Sequence, residues 1–374
     1  MTSHAHAAAY GVLSPQLLEQ ILAAHERYAR REPRGRRAVF KFVNLSGADL
    51  STRQLDDAEF TAAAMVGTRL IRTSLQRASF YGADLTLADL RGADARRADF
   101  RGALLRGANL AFARLDEADM RRAVLAIADA EGSLRRWRPD LAGLPANSSL
   151  RGSTLDKAQL DEADAGGADF TNCSMKNARL NGANFKGADL SGAVMSGAQV
   201  RGVVLTGANL SGAVLTGVAL DDLRLPPEAL AGCVCDPSRE ALARLDLLLA
   251  RLDGARRWAE TGGRDGCAPN FDGEDIRVLG PALHGLSLPA MTGRRCLGVG
   301  VDFSDAELPG ANFEGADLRD ANFSGADLRG VSFKGANLSF ACLDKANLTA
   351  LELVGGMKIE PNLEGANLTG ARLD

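Results

Sequence analysis

A chain of 374 residues with a net charge of −3 carries no global field suited to nucleic acid or an acidic membrane. Aromatic residues make up 5% while glycine reaches 41, which excludes a large jigsaw core and points to something thin and regular. Six irregularly spaced cysteines exclude a disulfide framework, and no apolar stretch reaches membrane-spanning length.

The N-terminus lacks a basic region followed by an apolar run, so no signal peptide is read and a cytoplasmic location is expected. The first predicted element is a helix. Ser14-Pro15 reads as N-cap and first helical position. Leu18, Ile21, Leu22, His25 and Tyr28 share one face, and Pro33 and Gly35 end the helix.

From Ala38 a five-residue period takes over. Large apolar residues recur at Phe40, Leu45, Leu50, Leu55, Phe60, Met65, Leu70 and onward to Leu125. A small residue usually stands two positions before each, with Asp or Asn between. That is alternation of period two: in, out, in. The two remaining residues are polar and glycine-rich, which suits a bend. Each unit is therefore a three-residue extended side followed by a corner. The first run holds 19 units, from Ala38 to Gly132. The segment Ser133–Asn147 interrupts it, with the same register on both sides. A second run of 16 units, centred from Leu150 to Leu225, follows.

Pro226 to about Gly266 breaks the pattern again. Asp236-Pro237 reads as N-cap and first position of a second helix, with Leu242, Leu245, Leu249 and Leu252 as its stripe. The segment Leu22–Phe40 resembles Leu252–Phe271: Leu22 matches Leu252, Tyr28 matches Trp258, Gly35 matches Gly266 and Phe40 matches Phe271. Degenerate units centred on Ile276, Leu286, Met291 and Cys296 come next, with a register shift of two between Cys296 and Phe303. A third run holds 11 units, from Phe303 to Leu353. After a minor loop at 354–360, three more units are centred on Leu363, Leu368 and Leu373.

The pattern of Ala316-Asp317-Leu318-Arg319-Asp320 and Ala326-Asp327-Leu328-Arg329-Gly330 resembles the pentapeptide-repeat proteins. The resemblance covers about two-thirds of the chain, in 49 units. It implies an all-β solenoid, a right-handed quadrilateral β-helix with four units per coil. The expected plan is an N-terminal tail and capping helix at 1–37 and a β-helix at 38–225 with a loop at 133–147. A linker and second capping helix at 226–268 precede a second β-helix at 269–374, degenerate at 279–300. Two short-helix caps thus head two solenoid segments in series, because a solenoid end must be covered. The expected inward ladder includes Leu50, Phe60, Leu85, Phe100, Leu110, Phe170, Phe185, Leu190, Leu210, Phe313, Leu318, Phe323 and Leu328. On this reading Leu190→Asp is costly and Asp189→Ala nearly silent.

No catalytic motif is present, and no enzyme is read. Asp49, Asp84, Asp89, Asp99, Asp119, Asp189, Asp317 and Asp327 fall at the outward position, where solvated carboxylates do no acid–base work. Cys233, Cys235, Cys267, Cys296 and His284 lack finger spacing, so neither metal nor cofactor is expected. Arg72, Arg77, Arg91, Arg96, Arg97, Arg101, Arg106, Arg121 and Arg122 crowd the first run. Against 13 acidic and 13 basic residues over 38–132, they read first as a salt-bridged face and second as a surface for an anionic partner. Arg135, Arg136, Trp137 and Arg138 form the candidate partner contact, since Trp and Arg anchor interfaces. The same segment also reads as a strap, with Trp137, Leu141 and Leu144 folded back on the coils. The functional expectation is a non-enzymatic, bacterial, protein-binding scaffold without direct nucleic-acid contacts. The alternative comes from the resemblance: some family members inhibit or protect DNA gyrase as acidic mimics of B-DNA. The residues 301–353, with 4 basic and 9 acidic, are the only distinctly acidic stretch.

Overall fold

A computed structural model describes residues 10–125 and 147–373. It divides into two compact units, Met1–Cys235 and Asp236–Asp374.

The repeat dictates the geometry from the corner outward. At one corner the Leu45 carbonyl accepts the Ala48 N–H at 3.0 Å. The third residue of that turn, Gly47, sits at φ 72°, while Ser46 keeps a negative φ. Positive φ at the third position alone is the type II turn, and glycine occupies it without steric cost. Arg72, Arg77 and Arg97 take the same conformation at φ 52°, 58° and 60°. Between corners the backbone pairs in parallel with residues twenty positions on: Asp49 with Arg69, Asp89 with Asn109, Asp169 with Asp189. Twenty residues are four units, so four units make one coil of a β-helix solenoid. The rungs are direct, as in the Leu50 N–H donating to the Arg69 carbonyl at 2.8 Å.

Inside, like residues stack on like. Phe40, Phe60, Phe80 and Phe100 stack in sequence, with ring centroids 5.3, 4.8 and 4.8 Å apart. Phe303 stacks on Phe323 at 5.1 Å and Phe313 on Phe333 at 5.6 Å. Leu50, Phe60, Leu85, Phe100, Leu110, Phe170, Phe185, Leu190, Leu210, Phe313, Leu318, Phe323 and Leu328 are all buried. The two units have separate apolar cores.

In the first unit, β1 (Gly11–Val12) pairs in parallel with β2 (Val43–Asn44). Helix α1 (Pro15–Ala29) covers the first coil. Ser14 Oγ accepts the Leu17 N–H at 3.2 Å, Pro15 takes the first turn, and Leu22 joins the core of Ala38 and Phe40. The helix stops at Ala29, before the Pro33 and Gly35 expected to end it, because Arg31 turns left-handed at φ 57°. The last rung of the unit pairs Val214 with Val234. Before it come a one-turn helix α2 (Leu220–Leu223) and a 3₁₀ turn (Pro227–Leu230).

In the second unit, α3 (Arg239–Ala243) and α4 (Leu245–Glu260) replace the single helix expected. The N-cap is Ser238, whose Oγ accepts the Ala241 N–H at 3.1 Å, and not Asp236. The apolar stripe also differs. Leu248, Leu252 and Ala255 are buried, while Leu242 and Leu249 are exposed. Two leucine stripes fit this sequence, and the small pair Gly254-Ala255 decides between them by allowing close approach. The Cys267 N–H donates to the Gly254 carbonyl at 3.2 Å, as the Arg36 N–H donates to the Ala24 carbonyl at 2.9 Å in the first unit. The paired glycines share one steric role. A Cβ on Gly35 would lie 2.4 Å from the Tyr28 nitrogen, and one on Gly266 would lie 2.7 Å from the Trp258 nitrogen.

The register correction is larger. Thr292 pairs with Asn312 and Leu297 with Asp317, which puts Gly293 and Gly298 at the centre positions rather than Met291 and Cys296. Leu288, not Leu286, is the preceding centre, following Ser287, which pairs with Glu307. The two extra residues lie before Leu288: Asn270 pairs with Thr292 and Asp275 with Leu297, each 22 positions on. A 3₁₀ segment (Ile276–Leu283) absorbs them. Met291 and Cys296 fill the usually small inward position, while the centre shrinks to glycine. A Cβ at Gly293 would lie 3.0 Å from Phe313, so the pocket is already full. Volume is conserved with large and small exchanged.

Near the end, β3 (Leu351–Glu352) and β4 (Lys358–Ile359) form an antiparallel hairpin. The rungs around it are 30 residues apart, as in Ser332 with Asn362, so ten residues stand outside the coil.

Candidate functional site

The outward Asp of each repeat is not simply solvated. Asp84, Asp89, Asp99, Asp119, Asp189, Asp317 and Asp327 are half-buried, and Asp49 on the first coil is exposed. Each accepts the N–H two residues on; Asp99 Oδ1, for example, takes the Arg101 N–H at 3.1 Å. The carboxylate thereby satisfies a corner donor that the turn leaves open. Where an Arg follows, its guanidinium closes a second, two-pronged bond on the same carboxylate. Arg101 donates from Nε and Nη2 to Asp99 at 2.9 and 2.8 Å, and Arg121 does so to Asp119 at 2.9 and 2.6 Å. Arg91 with Asp89 and Arg96 with Asp94 repeat the motif. The Arg91 hydrogen bond holds the Asp89 carboxyl below its ordinary value.

The neighbouring corner column runs Asp57, Arg77, Arg97, Glu117. Arg77 turns away from Arg97 to reach Asp57 at 2.7 Å, and Arg97 reaches Glu117 at 2.8 Å. Two stacked arginines are thus each drawn to the carboxylate on its far side. The Arg77 hydrogen bond lowers the Asp57 carboxyl, and the Arg97 hydrogen bond lowers Glu117. Arg72 and Arg106 form no ion pair among the described residues, and the Arg106 Nε is buried without an acceptor.

One stretch of this face is concave. Tyr81, Arg101, Gly102, Arg121, Arg122, Asp161, Glu162 and Arg179 line an open groove of about 540 Å³. Tyr81, Arg101, Arg121 and Asp161 belong to one corner column, since the rungs beside them run Asp84, Leu104, Val124, Asp164. The Tyr81 ring is 52% exposed and carries the Arg101 guanidinium 5.3 Å from its centroid. Arg122 bonds Glu162 at 2.7 Å, and Arg179 lies 3.1 Å from Asp161. Gly102 forms the floor, with nothing within 4 Å of where its Cβ would stand.

The structure brings Arg101, Arg121 and Arg122 together and leaves Arg72, Arg77, Arg91, Arg96, Arg97 and Arg106 outside the groove. The sequence analysis did not select Tyr81, Asp161, Glu162 or Arg179. Tyr81 stands twenty residues from Arg101, a spacing that becomes visible once the coil length is known. Asp161 and Glu162 stand forty from Arg121 and Arg122, across a span no simple period signals. Arg135, Arg136, Trp137 and Arg138 lie outside the described residues.

Two of the six cysteines read as packing. Cys173 and Cys296 are buried. Burial pushes the Cys296 thiol up to about 12, away from the thiolate that nucleophiles and metal ligands require. Cys233 Sγ donates to the Leu210 carbonyl at 3.2 Å. Among the described residues no group of three or more His, Cys, Asp or Glu is placed to hold a metal ion. His284, Ser304 and Asp302 do meet: His284 Nδ1 is 2.8 Å from Ser304 Oγ, which donates to Asp302 at 2.6 Å. The serine proton goes to the carboxylate rather than the imidazole, the reverse of a nucleophile–base pair. Asp302 also accepts from Asn322 at 2.9 Å, so it ties one coil to the next.

The family described as pentapeptide repeats matches residues 54–92, 83–122, 146–177, 168–207, 193–225, 299–335 and 325–349, more than half of the chain. No curated protein matches the sequence. Among solved structures, the chain is similar to HetL of the cyanobacterium Nostoc sp. strain PCC 7120, a pentapeptide repeat protein involved in heterocyst differentiation regulation. The two are 20% identical over 97% of this chain and 98% of that one, with a TM-score of 0.32. A pentapeptide repeat protein of the Arabidopsis thaliana thylakoid lumen is 30% identical over 28% of this chain and 79% of its own, with a TM-score of 0.20. A trypsin-treated variant of QnrB1, a plasmid-mediated fluoroquinolone resistance protein, is 20% identical over 57% and 97%, with a TM-score of 0.30.

Proposed function

The chain belongs to the pentapeptide-repeat family, and from that premise we propose that it is a non-enzymatic scaffold that binds another protein on the outside of its coils. The observation that carries this reading is where the polar groups stand. The interior is filled by stacked Leu and Phe, and the ordered charges lie on the outer corners, two-pronged and fixed in place. Such a molecule offers surface rather than an enclosed reaction chamber.

The finer architecture belongs to the same proposal. The coils are right-handed and four-sided, and two β-helix segments, 38–225 and 269–374, follow capping helices within 1–37 and 226–268. No described helix is long and apolar enough to cross a membrane, and we place the protein in the bacterial cytoplasm. Arg135, Arg136, Trp137 and Arg138 supply a partner contact. The test is affinity capture from a native lysate with the intact chain, with residues 133–147 deleted, and with Arg136→Ala and Trp137→Ala. A partner held by the intact chain and lost from the variants at unchanged thermal stability is the expected result. A large stability loss with unchanged capture removes this contact, and no retained protein at all removes the scaffold reading.

A second reading rests on the acidic surplus of residues 301–353, 4 basic against 9 acidic: mimicry of DNA toward a type II topoisomerase such as gyrase. A supercoiling assay decides it. Absence of both inhibition and quinolone protection at micromolar protein eliminates this reading.

A further inference from the structure

The groove at the Tyr81 corner deepens the scaffold reading and rests on it. We infer that this groove is a docking site for a carboxylate-rich, extended segment of a protein partner.

Three observations converge. First, the donors are fixed and still have capacity. Arg101 and Arg121 bind Asp99 and Asp119 through Nε and Nη2, and neither Nη1 takes a hydrogen bond among the described residues. Asp99 and Asp119 are not groove-lining residues, so they orient the guanidiniums while their Nη1 edges remain unused. Second, the groove lining itself carries more cation than anion. The lining holds four arginines against Asp161 and Glu162, and those two acids are already engaged by Arg179 and Arg122. Arg101 and Arg121 stand on successive coils, about 4.8 Å apart, with Asp119 reaching both at 3.6 and 2.6 Å. Third, Arg101 and Arg121 follow the column from coil to coil rather than converging on one point. That spread suits a row of singly charged carboxylates better than one compact dianion. The Tyr81 face offers an apolar surface for the stems of the incoming side chains.

The full chain is titrated with a hexaglutamate peptide at low ionic strength, followed by calorimetry, with inorganic phosphate as a parallel arm. The groove variants are Arg101→Gln/Arg121→Gln and Gly102→Asn. Asn tolerates the left-handed φ of 64° found there, and fills the floor with every arginine in place. The control is Arg91→Gln, which breaks an identical Asp–Arg pair outside the groove. The expected result is saturable peptide binding that each groove variant weakens by about tenfold and the control leaves unchanged, with thermal unfolding of Gly102→Asn unaltered. Equal loss in the control reduces the effect to bulk charge and overturns the site. Unaltered affinity in Gly102→Asn overturns its location. Phosphate binding as tight as the peptide replaces the docking site with a small-anion site. If hexaglutamate fails to bind while lysate capture still retains a partner, this inference falls and the scaffold reading stands.

Discussion

His25 shows how one side chain can set a pH limit. It is fully buried on the inner face of α1, and its Nδ1 accepts the Ala38 N–H at 2.9 Å, at the junction of helix and first coil. An imidazolium would carry a proton on that nitrogen and lose the bond. Burial lowers its pKa below the ordinary 6.5, Asp56 and Asp57 pull the other way, and Arg37 adds to the lowering. As pH falls through 6.5 the unfolded chain takes up a proton that the folded one refuses, so stability declines from there downward. Thermal unfolding followed from about pH 7 to pH 5 should show this loss, and His25→Gln should abolish it in that window. Asp189 and Leu190 test the alternation of inside and outside. Leu190→Asp buries an unpaired carboxylate and should cost several kcal/mol. Asp189→Ala is no longer expected to be silent, because its Oδ1 accepts from the Ser191 N–H at 3.0 Å and from Asn209 at 3.1 Å. A loss of about 1 kcal/mol, restored by Asp189→Asn, follows from those bonds. Chemical denaturation reads both, and equal effects of the two alanine- and aspartate-bearing chains would refute the assignment.

At the scale of elements, the likeness of Leu22–Phe40 to Leu252–Phe271 extends to sterics. Gly35 and Gly266 each press against a helix backbone, at Tyr28 and Trp258. Gly35→Ala and Gly266→Ala should each destabilise by about 3 kcal/mol, measured by denaturant midpoint, and a neutral result at either would break the parallel. The caps are clamped by opposite signs. Arg53 on a coil reaches Glu19 and Glu26 on α1, both at 2.9 Å. Glu274 on a coil reaches Arg244 and Arg251 at 2.5 and 2.8 Å. Glu19 and Glu26 stand seven residues apart, as do Arg251 and Arg244 at the N-cap of α4, a spacing that returns to the same face. Much of the fold was legible from the period of five, because each Leu or Phe marks its own unit. Legibility failed at Met291 and Cys296, where the bulky residue moved to the small position and glycine took the centre. A pattern that tracks large side chains follows volume, whereas register follows backbone pairing. The groove was half legible: its arginines stood out as a cluster, but Tyr81 and the residues beyond 160 join them only through the coil.

For the molecule as a whole, the two separate cores predict two unfolding events. Each coil contacts only its neighbours, so stability is additive along a stack, and each unit has a core of its own. Denaturation of the full chain should depart from a single transition. Leu190→Asp should shift one transition, and Phe323→Ala only the other; a shared shift would mean one cooperative body.

The repeating rung of the first unit also has a mechanical meaning. Asp49 holds Arg69, Arg69 holds Asp89, and Asp89 holds Asn109, each by the same short parallel contact. A load applied at the outer coil therefore strains only the rungs of that coil, which open like a zipper rather than shearing together. Each release frees twenty residues, about 70 Å of contour length, except at the coil whose rungs span forty, from Asn109 with Ser149 to Val124 with Asp164, which frees twice that. Stretched in a single-molecule force instrument, the unit should lengthen at low force in even steps broken by one of double length, a molecular tape measure graduated in coils.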